Sequence, residues 1–167
     1  MPTSGGPGRN NKIEAVVVRL LARRGKTLAL AESCTGGFIA NQITNVPGAS
    51  KIFPGGIVAY SNPAKQKFLG VRAKTLARHG AVSEAAAREM AAGARKKFGA
   101  DFAIAVTGIA GPGGATKCRP VGTVFIALAG KGETVVARKL NPLGRDKFKL
   151  ATAEQALKLL LCKLAEP

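Results

Sequence analysis

The stretch ESCTGG places a hydroxyl and a thiol side by side at the end of an apolar segment. Ser33 and Cys34 follow TLALA (27–31), whose continuous apolar run is typical of a short buried strand. Either side chain could act as a nucleophile on a carbonyl carbon. If residues 35–37 form the first turn of the next helix, their N–H groups could hold the oxyanion that such an attack creates.

Both residues also have plainer interpretations. Ser33 could cap the helix, and Cys34 could be a small buried hydrophobic residue. From residue chemistry alone, Cys34 competes with Ser33 as the nucleophile, because a helix N-terminus lowers the pKa of a thiol. The sequence leaves this choice open at this point.

A hydroxyl nucleophile needs a base, and His79 is the only histidine. It lies in the polar segment ARHGAVS, where a capping or structural role is favoured. Lys65 is a second candidate. With Pro63 as the first helical residue, Lys65 is the third, and the positive end of the helix dipole would lower its pKa. Tyr60 could hydrogen-bond to it or relay a proton, although a solvated surface lysine is the plain alternative.

The glycine-rich loop 107–119 could bind an anion through main-chain N–H groups. Gly108 and Gly113 fit the spacing of a phosphate-binding loop of the Walker A type. Gly114 and Ala115 occupy the positions of its Lys and Ser/Thr, and a strand rather than a helix follows. The pattern therefore excludes a nucleoside-triphosphate loop and leaves a monophosphate site or a simple connection between strands.

The apolar periodicity predicts the elements that must position these residues. Strands alternate with helices, and Lys131-Gly132 joins the last two strands as a hairpin. The sequence thus predicts an α/β fold, a single three-layer α/β/α domain (12–167) with a mixed, mostly parallel sheet of about five strands. Residues 1–11 are predicted to be a disordered tail. The predicted strands are 27–31, 55–60, 101–106, 121–130 and 133–140. The predicted helices lie near 13–21, from Phe38 to near Val46, from Pro63 onwards, at 84–98 and near 146–164.

The composition is basic, with a net charge of +17 from 26 Lys and Arg against 9 Asp and Glu. Such a charge attracts polyanions, including nucleic acid. The basic residues are spread along the chain, however, and aromatic residues make up only 5% of it. A solvated basic surface is therefore favoured over a nucleic-acid site.

The cysteines Cys34, Cys118 and Cys162 match no zinc-binding spacing and cannot all pair with one another. The first residues lack an apolar leader, and no run reaches the length of a membrane span. We therefore expect a cytoplasmic protein with reduced thiols, no membrane association, no metal and no cofactor.

Four motifs in order resemble the C-terminal domain of CinA, the competence/damage-inducible protein family. They are ESCTGG (32–37), PGGIVAYSN with Lys65 (54–65), HGAVS (79–83) and AVTGIAGPGG…PVGTVFIALAG (105–130). The similarity runs from about residue 15 to residue 161. Stand-alone members of this family are amidohydrolases that convert nicotinamide mononucleotide to nicotinic acid mononucleotide and ammonia. The resemblance implies this activity, which belongs to pyridine nucleotide salvage, for the present chain.

The resemblance also implies roles for individual residues. Ser33 would be the nucleophile, Lys65 the base and Tyr60 their partner, without a metal, in a homodimer. Arg145, in the segment LGRDK, would reach the phosphate of the substrate. The residues expected to bind the substrate are Cys34, Thr35, Gly36, Thr107, Gly108, Gly111, Gly113, Gly114 and Arg145.

The chain departs from the family pattern at two places. Lys117, Cys118 and Arg119 replace residues that in relatives are more often acidic or Lys, and no acidic residue precedes Arg145. The alternatives are an inactive or differently specific nucleotide-binding module associated with competence, a nucleic-acid-associated protein, and an enzyme that uses Cys34.

Overall fold

A computed structural model describes residues 12–166 of the chain; the predicted tail 1–11 lies outside the described residues. Helices and strands alternate along this range, with a single 3₁₀ turn at Ala49–Lys51. The elements are α1 (Ile13–Arg24), β1 (Leu28–Glu32), α2 (Phe38–Thr44), β2 (Gly55–Val58), α3 (Asn62–Leu69), α4 (Ala73–His79), α5 (Glu84–Phe98), β3 (Phe102–Gly108), β4 (Thr123–Ala129), β5 (Thr134–Leu140) and α6 (Arg145–Ala165).

The strands form one mixed sheet in the order β2-β1-β3-β4-β5. β1 pairs in parallel with β2 and β3, and β4 runs antiparallel to both β3 and β5, so only β4 is reversed among the strands described. Glu32 pairs with both Val58 and Val106, so the three parallel strands reach the same level. The loops that follow them meet at one edge, where α/β folds bind their ligands.

The alternation along β1 separates two core layers. Leu28 and Leu30 belong to a core of large aliphatic side chains beneath α1, α2 and α6. Ala29 and Ala31 belong to an alanine-rich core beneath α3, α4 and α5. Small side chains on this second face allow α5 to lie close to the sheet. The predicted three-layer α/β/α domain with a mixed sheet is confirmed.

Two helices differ from the sequence-based expectation. The short helix α4 was not predicted, and His79, which the sequence placed in a polar segment, is its last residue. Helix α3 begins one residue before Pro63, after the N-cap Ser61, whose hydroxyl accepts a hydrogen bond from the Ala64 amide (3.2 Å). Lys65 is therefore the fourth helical residue and not the third.

Residues 35–37 were expected to open helix α2, and this expectation was wrong. Gly36 (φ 61°) and Gly37 (φ 96°) adopt the left-handed conformation that glycine tolerates without a steric penalty. The segment is a turn, and α2 begins at Phe38.

The carboxylate of Glu32 holds this turn in place. It is buried and accepts hydrogen bonds from the Thr35 hydroxyl (2.6 Å) and from the amides of Gly37 (3.1 Å), Ile39 (3.1 Å) and Ala40 (2.8 Å). A carboxylate at a helix N-terminus satisfies unpaired amides and complements the helix dipole. Glu32 therefore joins the end of β1 to the start of α2.

We predict that Glu32→Gln lowers the free energy of unfolding by about 2–3 kcal/mol, because the amide offers one acceptor oxygen and turns an NH₂ group towards N–H donors. Urea denaturation measures the change. Glu154→Gln makes the same exchange at an exposed position of α6 and should change stability by less than about 0.5 kcal/mol. Equal losses in the two variants would show that Glu32 has no special structural role.

A second constraint fixes the position of α3 against α5. A Cβ atom added to Gly93 would lie 1.8 Å from the main-chain oxygen of Leu69 at the end of α3. Gly→Ala in a helix normally adds about 1 kcal/mol of stability, but Gly93→Ala should remove about 3 kcal/mol because the helices must separate. Thermal unfolding tests this. The control Ala92→Gly, at the exposed neighbouring position, should cost only about 1 kcal/mol.

Candidate active site

Ser33 and Lys65 form a buried pair at the edge where the parallel strands end. The Lys65 Nζ atom lies 2.9 Å from the Ser33 Oγ atom, and the two residues are 2% and 7% exposed. Ser33 follows β1 directly, and Lys65 lies on α3. The structure thus brings together the two residues that the sequence proposed as nucleophile and base.

The remaining contacts of the Lys65 amine are main-chain oxygens. Its Nζ lies 3.0 Å from the Ala59 oxygen and 3.4 Å from the Tyr60 oxygen. No carboxylate within residues 12–166 forms an ion pair with it. Burial lowers the pKa of Lys65, and the neighbouring Cys34 opposes this only in part. The sequence attributed such a shift to the dipole of α3, whereas in the structure burial is the main cause.

Tyr60 contacts Lys65 through its carbonyl oxygen and not through its phenol. The residue is 65% exposed, and its phenol makes no hydrogen bond to Ser33 or Lys65. It does line the cavity that contains both residues. The proton relay through the phenol that the sequence suggested is therefore absent from this arrangement.

The environment of Cys34 is the opposite of the one that the sequence suggested. The thiol is buried, and burial, reinforced by the charge of Glu32, raises its pKa to about 12 despite the nearby Lys65 and Lys149. A helix N-terminus was expected to lower this pKa, but the amides at the start of α2 are directed at Glu32. The thiol is consequently protonated near neutral pH, which disfavours it as a nucleophile.

The amides of Cys34 and Thr35 are the candidates to hold an oxyanion beside Ser33, and the Cys34 amide also contacts its own thiol. The Gly36 amide donates to the Ser33 carbonyl oxygen (3.1 Å), so it is already used. Thr35 is buried, and its hydroxyl donates to Glu32. Within the described part of the turn, the amides of Cys34 and Thr35 donate to no other residue's acceptor. The expected oxyanion contact at Gly36 is therefore not supported.

A cavity of about 220 Å³ opens over the Ser33–Lys65 pair. It includes Thr107, Gly108 and Arg145, all expected from the sequence. The Arg145 guanidinium donates to the Gly111 carbonyl oxygen (2.7 Å), which ties α6 to the glycine-rich loop. The lining residues that the sequence did not single out are Asn62, Ala81, Val82 and Ala110.

The outer part of the glycine-rich loop lies away from this cavity. Gly113 and Gly114 are exposed and do not line it, and β4 rather than a helix follows the loop, as predicted. The Thr107 hydroxyl donates to the Ala81 carbonyl oxygen (2.8 Å), so it holds the segment 79–83 against β3. Its His79, which the sequence offered as a candidate base, does not line the cavity that contains Ser33.

Within residues 12–166, no group of three or more His, Cys, Asp or Glu side chains is arranged to hold a metal ion. None of the helices in this range has the length and apolar character needed to cross a membrane.

Comparison with known proteins identifies the family. A model of the CinA C-terminal domain matches residues 10–164. A CinA-like protein of Anaeromyxobacter sp. (strain K) is 49% identical over 155 residues, which are 93% of this chain and 38% of that protein. A CinA-like protein of Thermotoga maritima is 58% identical over 117 residues, 70% of this chain and 29% of that protein. The chain thus spans well under half of the length of these relatives.

Solved structures agree with this assignment over nearly the whole chain. The competence/damage-inducible protein CihA from Agrobacterium tumefaciens has a TM-score of 0.90 and 38% identity, covering 98% of this chain and 100% of that one. The competence damage-inducible protein A from Klebsiella pneumoniae has a TM-score of 0.90 and 40% identity, covering 92% and 96%. The chain belongs to the CinA C-terminal domain family.

Proposed function

We propose that this chain hydrolyses the carboxamide of nicotinamide mononucleotide to nicotinic acid mononucleotide and ammonia, with Ser33 as nucleophile and Lys65 as base. One observation carries the proposal: a buried lysine amine without a carboxylate partner lies 2.9 Å from a serine hydroxyl. A serine–lysine pair of this kind activates a hydroxyl without histidine. The resemblance to the stand-alone family members supports the choice of substrate.

The contacts of Lys65 fit the neutral amine that a base requires. The Ala59 and Tyr60 carbonyl oxygens can accept the two N–H bonds of an uncharged amine. Its lone pair then faces the Ser33 hydroxyl. Ser33 attacks the amide carbon while Lys65 takes the hydroxyl proton, and the amides of Cys34 and Thr35 hold the oxyanion.

The same proton completes the reaction. Lys65 delivers it to the amide nitrogen, the C–N bond breaks, and ammonia leaves an acyl-serine intermediate. Water then attacks the ester with Lys65 again as base, which releases the carboxylic acid and restores Ser33. Apart from the substrate and water, these steps need only Ser33, Lys65 and the amides of Cys34 and Thr35.

The size of the cavity indicates how the substrate would lie. At about 220 Å³ it is smaller than the roughly 300–1,000 Å³ of most small-molecule sites. We therefore place the nicotinamide ring inside and the ribose phosphate at the mouth. There the exposed Arg145 would contact the phosphate, and Thr107, which is buried, and Gly108 would line the cavity.

A nucleotide-binding module without hydrolysis is the alternative. Its support is that a relative from Moorella thermoacetica carries the name putative competence-damage inducible protein, which specifies no reaction. For either function we propose a cytoplasmic homodimer. Nucleic acid is a less favoured partner, since the basic residues are dispersed.

We predict that Ser33→Ala lowers ammonia release from nicotinamide mononucleotide at least ~10³-fold, as expected for loss of a nucleophile. Cys34→Ala is the matched control, since it alters the adjacent buried side chain and should retain most of the activity. A coupled assay for ammonia measures both. Full activity in Ser33→Ala excludes the proposed mechanism, and binding without ammonia release by the unmodified protein favours the alternative function.

The lowered pKa of Lys65 predicts a pH dependence. The amine accepts a proton only when uncharged, so kcat/KM should fall as pH falls through the Lys65 pKa and level off above it. The midpoint should lie below the ordinary lysine value of 10.5. Lys65→Met should cost about 10²–10⁴-fold and abolish this limb, whereas Lys67→Met, at an exposed position of α3, should preserve it. A limb that persists in Lys65→Met would assign the base to another residue.

A further inference from the structure

A second cavity, about 610 Å³ in volume, lies on the other side of segment 79–83 from Ser33. It is bounded by the N-terminal half of α5, the loop before β4, and strands β4 and β5. It shares no lining residue with the Ser33 cavity. The residues that line it are Arg72, His79, Ser83, Glu84, Ala85, Arg88, Glu89, Cys118, Arg119, Phe125 and Arg138. We call it the arginine cleft.

Two of its four arginines are neutralised within the protein. The Arg72 Nε atom lies 2.7 Å from a Glu89 oxygen, and the Arg88 Nη2 atom lies 2.8 Å from a Glu84 oxygen. These ion pairs use both acidic residues of the cleft. They fix part of its wall and contribute no net charge.

The charges of the other two arginines are not balanced by an acidic residue of the cleft. The Arg119 Nη2 atom donates to the His79 carbonyl oxygen (2.7 Å) and the Arg138 Nη2 atom to the Cys118 carbonyl oxygen (3.0 Å). Neither forms an ion pair with an acidic residue of the described range. The cleft therefore has two fixed guanidinium groups, each with donors to spare, and a net positive charge.

The cleft also has an apolar wall. Phe125 is half-buried, and the Arg138 guanidinium lies over its ring at 5.8 Å from the centroid. Ala85 adds a small apolar surface nearby. A guanidinium held over one ring can stack a second, planar ring on its other face. The cleft thus combines positive charge that can bind an anion with a flat surface that can stack a planar ring.

We propose that the arginine cleft binds an organic phosphate of the nucleotide class, at a site separate from the Ser33 cavity. The phosphate contacts Arg119 and Arg138, and the aromatic base lies along Arg138 and Phe125. The volume falls within the roughly 300–1,000 Å³ that small-molecule sites occupy. Arginine supplies the planar donor geometry that phosphate recognition favours.

Segment 79–83 connects this site to the Ser33 cavity. His79 and Ser83 line the arginine cleft, whereas Ala81 and Val82 line the Ser33 cavity. Arg119 holds the His79 carbonyl on one side. A phosphate that draws Arg119 away from the His79 carbonyl would consequently shift segment 79–83, whose residues line both cavities.

The sole histidine provides a direct probe of the cleft. Adenosine monophosphate is titrated into the ¹⁵N-labelled full chain at constant ionic strength, and the imidazole C–H resonances of His79 are followed by NMR. We expect saturable shifts of these resonances, and shifts of the Ala81 and Val82 amides with the same dissociation constant. Adenosine and inorganic phosphate, as separate ligands, should each bind roughly tenfold or more weakly than the nucleotide.

Variants locate the binding. Arg119→Gln and Arg138→Gln should each weaken binding of adenosine monophosphate roughly tenfold or more. Lys139→Gln is the matched control, because it removes the same charge from the next residue of β5, which faces the other side of the sheet. It should leave the dissociation constant unchanged.

Three results would overturn the inference. One is the absence of a His79 shift at millimolar nucleotide; another is equal affinity for nucleotide and inorganic phosphate. The third is evidence that the cleft is buried between two copies of the chain. In sedimentation, Arg138→Gln would then shift the monomer–dimer equilibrium, and nucleotide would not. If the His79 resonances shift while the amide resonances of Ala81 and Val82 do not, the proposed link through segment 79–83 is wrong. The titration requires no catalysis, so its outcome is independent of the proposed amidohydrolase activity.

Discussion

The burial of the Lys65 amine is the constraint on which the rest of the candidate site depends. Removing an amine from water is unfavourable for its charged form, so the surroundings must either neutralise the amine or supply acceptors. Here the acceptors are the Ala59 and Tyr60 carbonyl oxygens and the Ser33 hydroxyl. They come from the ends of two parallel strands, and α3 brings the lysine to them. The serine–lysine pair therefore depends on β1 and β2 ending side by side in the sheet.

Glu32 leaves the Lys65 amine without a carboxylate partner, because its own charge is directed at the start of α2. It immediately precedes Ser33, and a carboxylate paired with Lys65 would raise the pKa of the amine and weaken it as a base. Its two oxygens instead accept four hydrogen bonds at the start of α2. One buried carboxylate thus stabilises a turn, while a buried amine a short distance away stays unpaired. The same arrangement leaves the amides of Cys34 and Thr35 without an acceptor on another residue.

Apolar periodicity in the sequence predicted the layers and the sheet, because it depends on local residue types, whereas the roles of Ser33 and Lys65 as nucleophile and base came from the family resemblance. The choice between Ser33 and Cys34 could not be predicted from the residues alone. Adjacent side chains point in different directions, and only the turn that Glu32 fixes shows that the hydroxyl meets Lys65 while the thiol is buried. Helix α4 escaped prediction because its 7 residues offer too short a periodic pattern. The arginine cleft was not predicted because residues far apart in the sequence, from Arg72 to Arg138, supply its wall.

The scarcity of acidic residues determines how the unpaired cations should be interpreted. Of the 9 acidic residues, several pair on the surface or in the arginine cleft, and Glu32 is directed at α2. In a chain with a charge of +17, a lysine or arginine without a carboxylate partner is the ordinary case and indicates nothing by itself. Lys65 differs because it is buried, where an unpaired amine is costly. Arg119 and Arg138 differ because main-chain carbonyls fix both of them in one concave site beside an aromatic ring. Burial and concavity, rather than charge, therefore single out the two sites from the basic surface.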